Sequence, residues 1–304
     1  MECGKTCLNY TLTSRALTAA DAEKGLEHHD WKVQSLSRSD NVFRYCHPTT
    51  KLVVVVKQAR LAKLGTYRTR ALGNEVDFYK MIKHEDMTNP LILQFHKAEQ
   101  DSRSLRLYLQ SMEQGSIKDK IGRMRGLDIE QIRRYTRSVA SALVYLHDRQ
   151  IIWNGCSANH VLLDLEGNPK ISGFGSFRRK NRDGKFAQLE PEEVHHRLRW
   201  LAPEAARRSI CMRRSDVWAL GCLVVEMITC EDPHFDCTTG TEVAQKMERS
   251  IDPRPPTGRH DYGSSPSESE LLVFLDSVFV TEPSERLTAK KLLSQSQFLS
   301  LDSI

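Results

Sequence analysis

Residues 145–175 read YLHDRQIIWNGCSANHVLLDLEGNPKISGFG. The stretch begins on the last turn of a helical pattern. Over 128–147, Ile132, Val139, Leu143 and Leu146 recur at spacings of seven, four and three, which places them on one helix face. Asp128, with Gln131 three residues on, makes a capping-box-like start. After a loop, Val161, Leu162 and Leu163 form a short apolar run, Glu166-Gly167-Asn168-Pro169 a turn, and Lys170-Ile171 a second strand. A helix, a loop and a tight hairpin follow one another directly.

Upstream, residues 1–30 are polar and aperiodic, and strand character begins at Trp31. Short β-type runs lie at 31–36, 52–56, 91–95 and 105–109, with one helical stretch between them carrying Leu72, Val76 and Tyr79. Downstream of about residue 113 the pattern is helical. The segment 216–229, DVWALGCLVVEMIT, is apolar on nearly all sides and predicts a helix enclosed by others. Residues 253–269, rich in Pro, Gly and Ser, read as a surface loop. The expected organisation is a polar tail over 1–30 and one domain over 31–300, with a mostly β lobe at about 31–112 and a helical lobe at about 113–300.

With 304 residues, 39% apolar and 27% charged, the chain can bury a substantial core. Its 44 basic residues are interspersed with 39 acidic ones, for a net charge of +5, which makes no case for nucleic acid. Lys57 and Glu226 interrupt the longest apolar runs, so no membrane span is expected. The N-terminus lacks the apolar core of a signal peptide, and the eight cysteines show no metal-ligand spacing. A reducing, cytoplasmic setting is expected. One basic run, RRKNRDGK, contains Arg178, Arg179, Lys180, Arg182 and Lys185 against a single acid. It reads as a solvated loop or as a docking patch for an acidic partner.

Six strings, taken in order, resemble a protein kinase over roughly 31–300: LVVVVK ending at Lys57, NEVDFYKMI with Glu75, the opening stretch 145–175, RWLAPE, SDVWALGCLVVEMIT and PSERLTAKKLL. GSIKDKI and RRYTRSVASALVYLH look most like the MAP kinase kinase kinase (STE-type) branch of serine/threonine kinases. The resemblance implies an α+β, bilobal fold with a β-rich N-lobe bearing one helix and a helical C-lobe.

It also allows each chemical group to be checked by position. Lys57 and Glu75 stand where the strand lysine and helix glutamate pair. The hinge of a nucleotide pocket falls at Gln110 to Met112, behind Leu109 as gatekeeper. The phosphate-covering loop, 36–45, contains no glycine and has Ser37, Ser39 and Val42 near the family's glycine positions; Val55 replaces the small residue against adenine. The catalytic loop has Trp153, Asn154, Gly155, Ser157 and His160 where the family has His, Arg, Asp, Lys and Asn. Gly173 stands in place of the magnesium-binding aspartate. The architectural positions remain: Phe174, Gly175, Pro203, Glu204, Asp216 and Arg286, with Tyr79, Trp153 and Phe174 at the positions of an interlobe apolar spine. No Ser, Thr or Tyr occurs over 177–202, where kinases are commonly phosphorylated, and Arg197 replaces a threonine there. The reading is a pseudokinase, not an enzyme: a kinase-fold scaffold or allosteric partner of a true kinase or another signalling component, needing no cofactor and compatible with ATP held without magnesium. The alternative is a weakly active or ATP-binding serine/threonine kinase of the MAP kinase kinase kinase type.

Overall fold

The computed structural model describes residues 32–36, 41–48, 51–61, 66–124, 126–180, 188–249, 252–257 and 265–300. Its first lobe is a five-stranded antiparallel sheet of β1 (Lys32–Ser35), β2 (Val42–Cys46), β3 (Val53–Arg60), β4 (Phe95–Gln100) and β5 (Ser104–Gln110), in spatial order β1-β2-β3-β5-β4. β3 alternates as a strand with two different faces must. Val54 and Val56 pack with Tyr108 in a small outer cluster, while Val55 and Lys57 face the other way. Leu107 and Leu109 of β5 join Leu72, Val76 and Tyr79 of helix α1 (Tyr67–His84) in the main core. Thr66 caps that helix, its Oγ1 accepting the Thr69 N–H.

The second lobe is helical. Strand β6 (Gly115–Ser116) leads into α2 (Ile117–Met124) and the 20-residue α3 (Ile129–Asp148), where Asp128 Oδ1 accepts the Gln131 N–H at 2.7 Å. β7 (Ile151–Ile152) precedes the loop 153–160. β8 (Val161–Leu163) and β9 (Pro169–Ile171) then form the hairpin, turning on Gly167 at φ 80°. β10 (Arg178–Arg179) pairs with β7, and α4 (Pro191–Arg197) and α5 (Pro203–Arg208) follow. Helix α6 (Arg213–Thr229) is buried at every residue from Ser215 to Ile228 and forms the axis of the lobe. α7 (Gly240–Arg249), α8 (Pro266–Val278) and α9 (Ala289–Gln295) complete it. No described helix is long and apolar enough to cross a membrane.

Two local expectations shift. The strand expected at 91–95 lies at Phe95–Gln100, because Ile92 and Leu93 are anchors buried against β9: Ile92 bridges Ile171, and Leu93 N–H donates to the Ile171 carbonyl. The end of the expected 253–269 loop is helical instead, since Ser265 caps α8 in a capping box with Glu268.

The C-lobe is closed by a fully buried arginine. Arg286 makes a bidentate pair with Glu204, at 2.8 and 3.0 Å, and also donates to the carbonyls of Arg214 and Val280. Arg286→Ala leaves the Glu204 carboxylate without its partner and should lower unfolding free energy by on the order of 3–5 kcal/mol, read by urea denaturation. A midpoint equal to wild type would show that the pair does not hold the lobe.

Candidate functional site: the interlobe cleft

Glu75 joins three elements. Lys57 Nζ on β3 lies 2.8 Å from its Oε1 and 3.1 Å from its Oε2, and the Gly173 N–H donates to Oε1 at 3.2 Å. The Glu75 side chain is 7% exposed. Next to it an aromatic column crosses the cleft. Phe95 stacks on Tyr79 at 5.5 Å, Tyr79 meets Phe174 edge-on at 5.6 Å, and Phe174 packs against Phe78 at 3.6 Å and Trp153 at 6.2 Å. Such contacts add about 0.5–1.5 kcal/mol per pair beyond the area they bury. The helix and the loop below it are therefore held in one relative position.

The loop 153–160 hangs from α6. Asp216, 1% exposed, accepts the N–H groups of Asn154 (2.8 Å) and Trp153 (3.0 Å) and bonds His147 Nε2 at 2.8 Å. Ten residues on, Glu226 Oε2 accepts from Ala158 N–H and Trp200 Nε1, both at 2.9 Å. Burial pushes the Glu226 carboxyl up to about 7. This second anchor was missed by sequence reasoning, where a lone acid inside an apolar helix was only an interruption.

The positions that depart from the family pattern fit one another. A Cβ on Gly155 would overlap Trp153 Nε1 and come within 2.8 Å of the Gly173 carbonyl oxygen, while Trp153 Nε1 donates to Ser172 O at 3.0 Å. A Cβ on Gly173, at φ 71°, would lie 2.5 Å from the ring of His160. His160 Nδ1 sits 2.7 Å from Gly155 O and 3.4 Å from Ser157 Oγ. Burial first, and the charge of Lys57 next, depress the His160 pKa to about 4. The ring is neutral at pH 7, so Nδ1 carries the proton that bonds the carbonyl and Nε2 carries the lone pair.

Magnesium prefers oxygen ligands. Residues 160 and 173 supply none, and the described residues contain no cluster of three or more His, Cys, Asp or Glu suited to a metal. The residues present do not fit that ion. The hinge residue Met112 is buried, and no backbone acceptor for its N–H is found among the described residues. Gln110 Oε1 accepts from Lys170 at 3.2 Å. Arg197 is the last residue of α4. Ser37 and Ser39 lie outside the described residues, and Val42 is in β2.

The activation segment is held by its own carboxylates. Arg178 pairs with Glu193 and donates to the carbonyls of Ser176, Phe177 and Gln188. Arg179 pairs with Glu85 at 2.6 Å, Arg70 of α1 pairs with Glu192, and Tyr67 stacks on His196 at 4.5 Å. Ser176, the nearest hydroxyl, is 3% exposed. Of the expected acidic-partner patch, Arg178 and Arg179 are engaged internally, and Arg182 and Lys185 lie outside the described residues.

The protein kinase domain model matches residues 38–298. The chain belongs to the protein kinase family. It is 31% identical over 243 residues to mitogen-activated protein kinase kinase kinase 1a of Physcomitrium patens, covering 79% of this chain and 29% of that protein. It is 27% identical over 226 residues to mitogen-activated protein kinase kinase kinase 3 of Homo sapiens (74% of this chain, 34% of that protein). It is 28% identical over 284 residues to serine/threonine-protein kinase PAK mbt of Drosophila melanogaster (91% and 40%). The chain thus spans less than half the length of each of these relatives. This overturns the expectation that the chain is no enzyme: it is a member of an enzyme family, and the relatives it matches are serine/threonine kinases of MAP kinase kinase kinase and related types.

His160 should remain unprotonated from pH 7 down to pH 5, seen as a flat imidazole chemical shift by NMR. Because its folded pKa lies below the ordinary value near 6.5, the unfolded chain binds the proton first. Stability therefore falls with decreasing pH, by about 1.4 kcal/mol per unit between 6.5 and 4. Glu226, with a raised pKa, acts in the opposite sense, so the comparison is wild type against His160→Asn, which should flatten the acid limb by one proton. A second outcome concerns volume. Gly173→Asp should cost on the order of 1–3 kcal/mol in stability, and His160→Asn in the same chain should recover part of it. Full tolerance of the single change would remove the steric coupling.

Proposed function

We propose that the chain is an ATP-binding protein serine/threonine-kinase domain of the MAP kinase kinase kinase type, slow in phosphate transfer, acting with a protein partner in intracellular signalling. The observation that carries this is the closed pair of Lys57 and Glu75, tied to the backbone at Gly173. Lys57, 23% exposed, presents its ammonium beside Glu75 at the interlobe cleft. A lysine ammonium so placed suits a nucleotide phosphate. Lys57 would orient the phosphates. Gly155 offers no group to take the proton of a substrate hydroxyl, and absence of a positioned base typically slows transfer by about 10²- to 10⁴-fold.

A scaffold or allosteric role toward a partner kinase rests on a different observation. The aromatic column and the ion-paired activation segment keep α1 in its inward position without any modifiable hydroxyl over 177–202. A partner would meet one conformation at all times.

Thermal shift with ATP in EDTA should raise the melting temperature, with little change on adding Mg²⁺, and Lys57→Ala should reduce the rise. Radiometric assay with a generic serine/threonine substrate should detect slow transfer that Lys57→Ala removes. No stabilisation by ATP under either condition would overturn the reading.

A further inference from the structure

On the face of the C-lobe away from the cleft, two cavities of about 360 and 470 Å³ adjoin one another at Met212 and Arg214. The first is walled by Pro203, Arg207, Arg208, Ile210 and Pro283; the second by Val144, Lys180, Arg213 and Lys290. Together they form a trough along the N-terminal end of α6. Six of the lining residues are cationic, against the acids Glu204, Glu282 and Asp148. Glu204 is already engaged by Arg286 and Ser215. Arg208, Arg213, Arg214 and Lys290 form no ion pair among the described residues, while Arg213 donates to the His147 carbonyl and Arg207 to that of Met247. The 17-residue α6 begins at Arg213, so the positive end of its dipole adds to the same field. At the junction of the two cavities sits Met212, 39% exposed, an apolar and adaptable side chain in a cationic setting.

We infer that this trough is a docking site for an acidic peptide segment of a protein partner, carrying one apolar anchor that seats on Met212. Charge complementarity selects the acidic residues, and the unpaired arginines would form charge-assisted bonds with carboxylates. The two pits separated by a methionine match side chains alternating about an apolar residue. A membrane surface cannot enter a concave trough, and a nucleic acid strand would leave Met212, Ile210 and Val144 without a use. The site is independent of the nucleotide reading, because none of its residues lines the cleft. It also shifts the acidic-partner surface from Arg178 and Arg179, which form ion pairs within the chain, toward Arg208, Arg213, Arg214 and Lys290, which form none among the described residues.

The test is fluorescence anisotropy on the full chain with a labelled nonapeptide of Asp and Glu around a central leucine. The expected result is saturable binding that weakens with salt. Reversing charge at Arg208, Arg213 and Lys290 together should weaken it by about tenfold or more, while Lys83→Glu, on the other lobe, should leave it unchanged. The milder Arg208→Gln with Lys290→Gln covers the case in which the triple reversal unfolds, with melting curves as the fold control. Met212→Ser should remove the preference for leucine over serine at the peptide centre without changing the salt dependence. Absence of binding at low salt, equal binding by the charge variants, or tighter binding of a single-stranded oligonucleotide or of anionic phosphatidylserine vesicles would each overturn the proposal.

Discussion

A single buried carboxylate sets the geometry on which the cleft depends. Asp216 sits inside the most enclosed helix of the molecule and is nearly inaccessible to water. An ionised group there is costly unless every lone pair is matched. The match comes from two consecutive backbone N–H groups, of Trp153 and Asn154, and from His147. Two adjacent amides directed at one carboxylate fix the chain direction, and Asn154 accordingly adopts φ 49°. Glu226, on the same helix, takes the Ala158 N–H and holds the loop at its far end. The path of residues 153–158 is therefore dictated by the core helix and not by the chemistry of the loop's own side chains. Such a frame tolerates wide substitution at the positions it presents.

Those substitutions are not independent of one another. Removing side chains at 155 and 173 opens volume, and the rings of Trp153 and His160 occupy it. Trp153 gains a buried acceptor in Ser172 O, and His160 gains one in Gly155 O, so both rings have a polar partner as well as packing. Close-packed interiors resist a change at one member of such a set. The cleft floor is a repacked surface with its own steric logic.

Much of the fold was legible because its elements carry local signals. The stripe on α3, the Asp128 cap and the hairpin turn at Gly167 each lie within a few residues of the structure they specify. The enclosed character of α6 followed from an apolar run with no polar face. Glu75, Lys57 and Arg286 were readable only through resemblance, since nothing in their neighbourhoods states what they meet 18 or 82 residues away. What escaped was of two kinds. The run at 91–93 is apolar because it wedges between elements, a pattern that periodicity cannot separate from a strand. Long-range pairs such as Arg179 with Glu85, and the trough around Met212, are juxtapositions of exposed residues that sequence spacing does not encode.

The ion pairs of the activation segment differ in weight, and the difference decides which one holds it. Arg70 and Glu192 are 47% and 56% exposed, so their attraction is screened and contributes at most about 1 kcal/mol. Arg179 and Glu85, at 41% and 34%, fall in the same class. Arg178 and Glu193 are 11% and 7% exposed, and each has further partners: three carbonyls accept from the arginine, and Glu193 also accepts the Glu190 N–H at 2.9 Å. Arg178 Nε is left without a partner, but a pair with this many further hydrogen bonds in a partly dry site is screened less than the exposed pairs. A phosphate in that position would bring a charge of about −1.5 to −2 and could be added or removed. Glu193 brings a smaller charge and sits in the capping box of α4, so the helix and the anchor form together. The described part of the segment is thereby tied to the fold by a contact that requires no added charge.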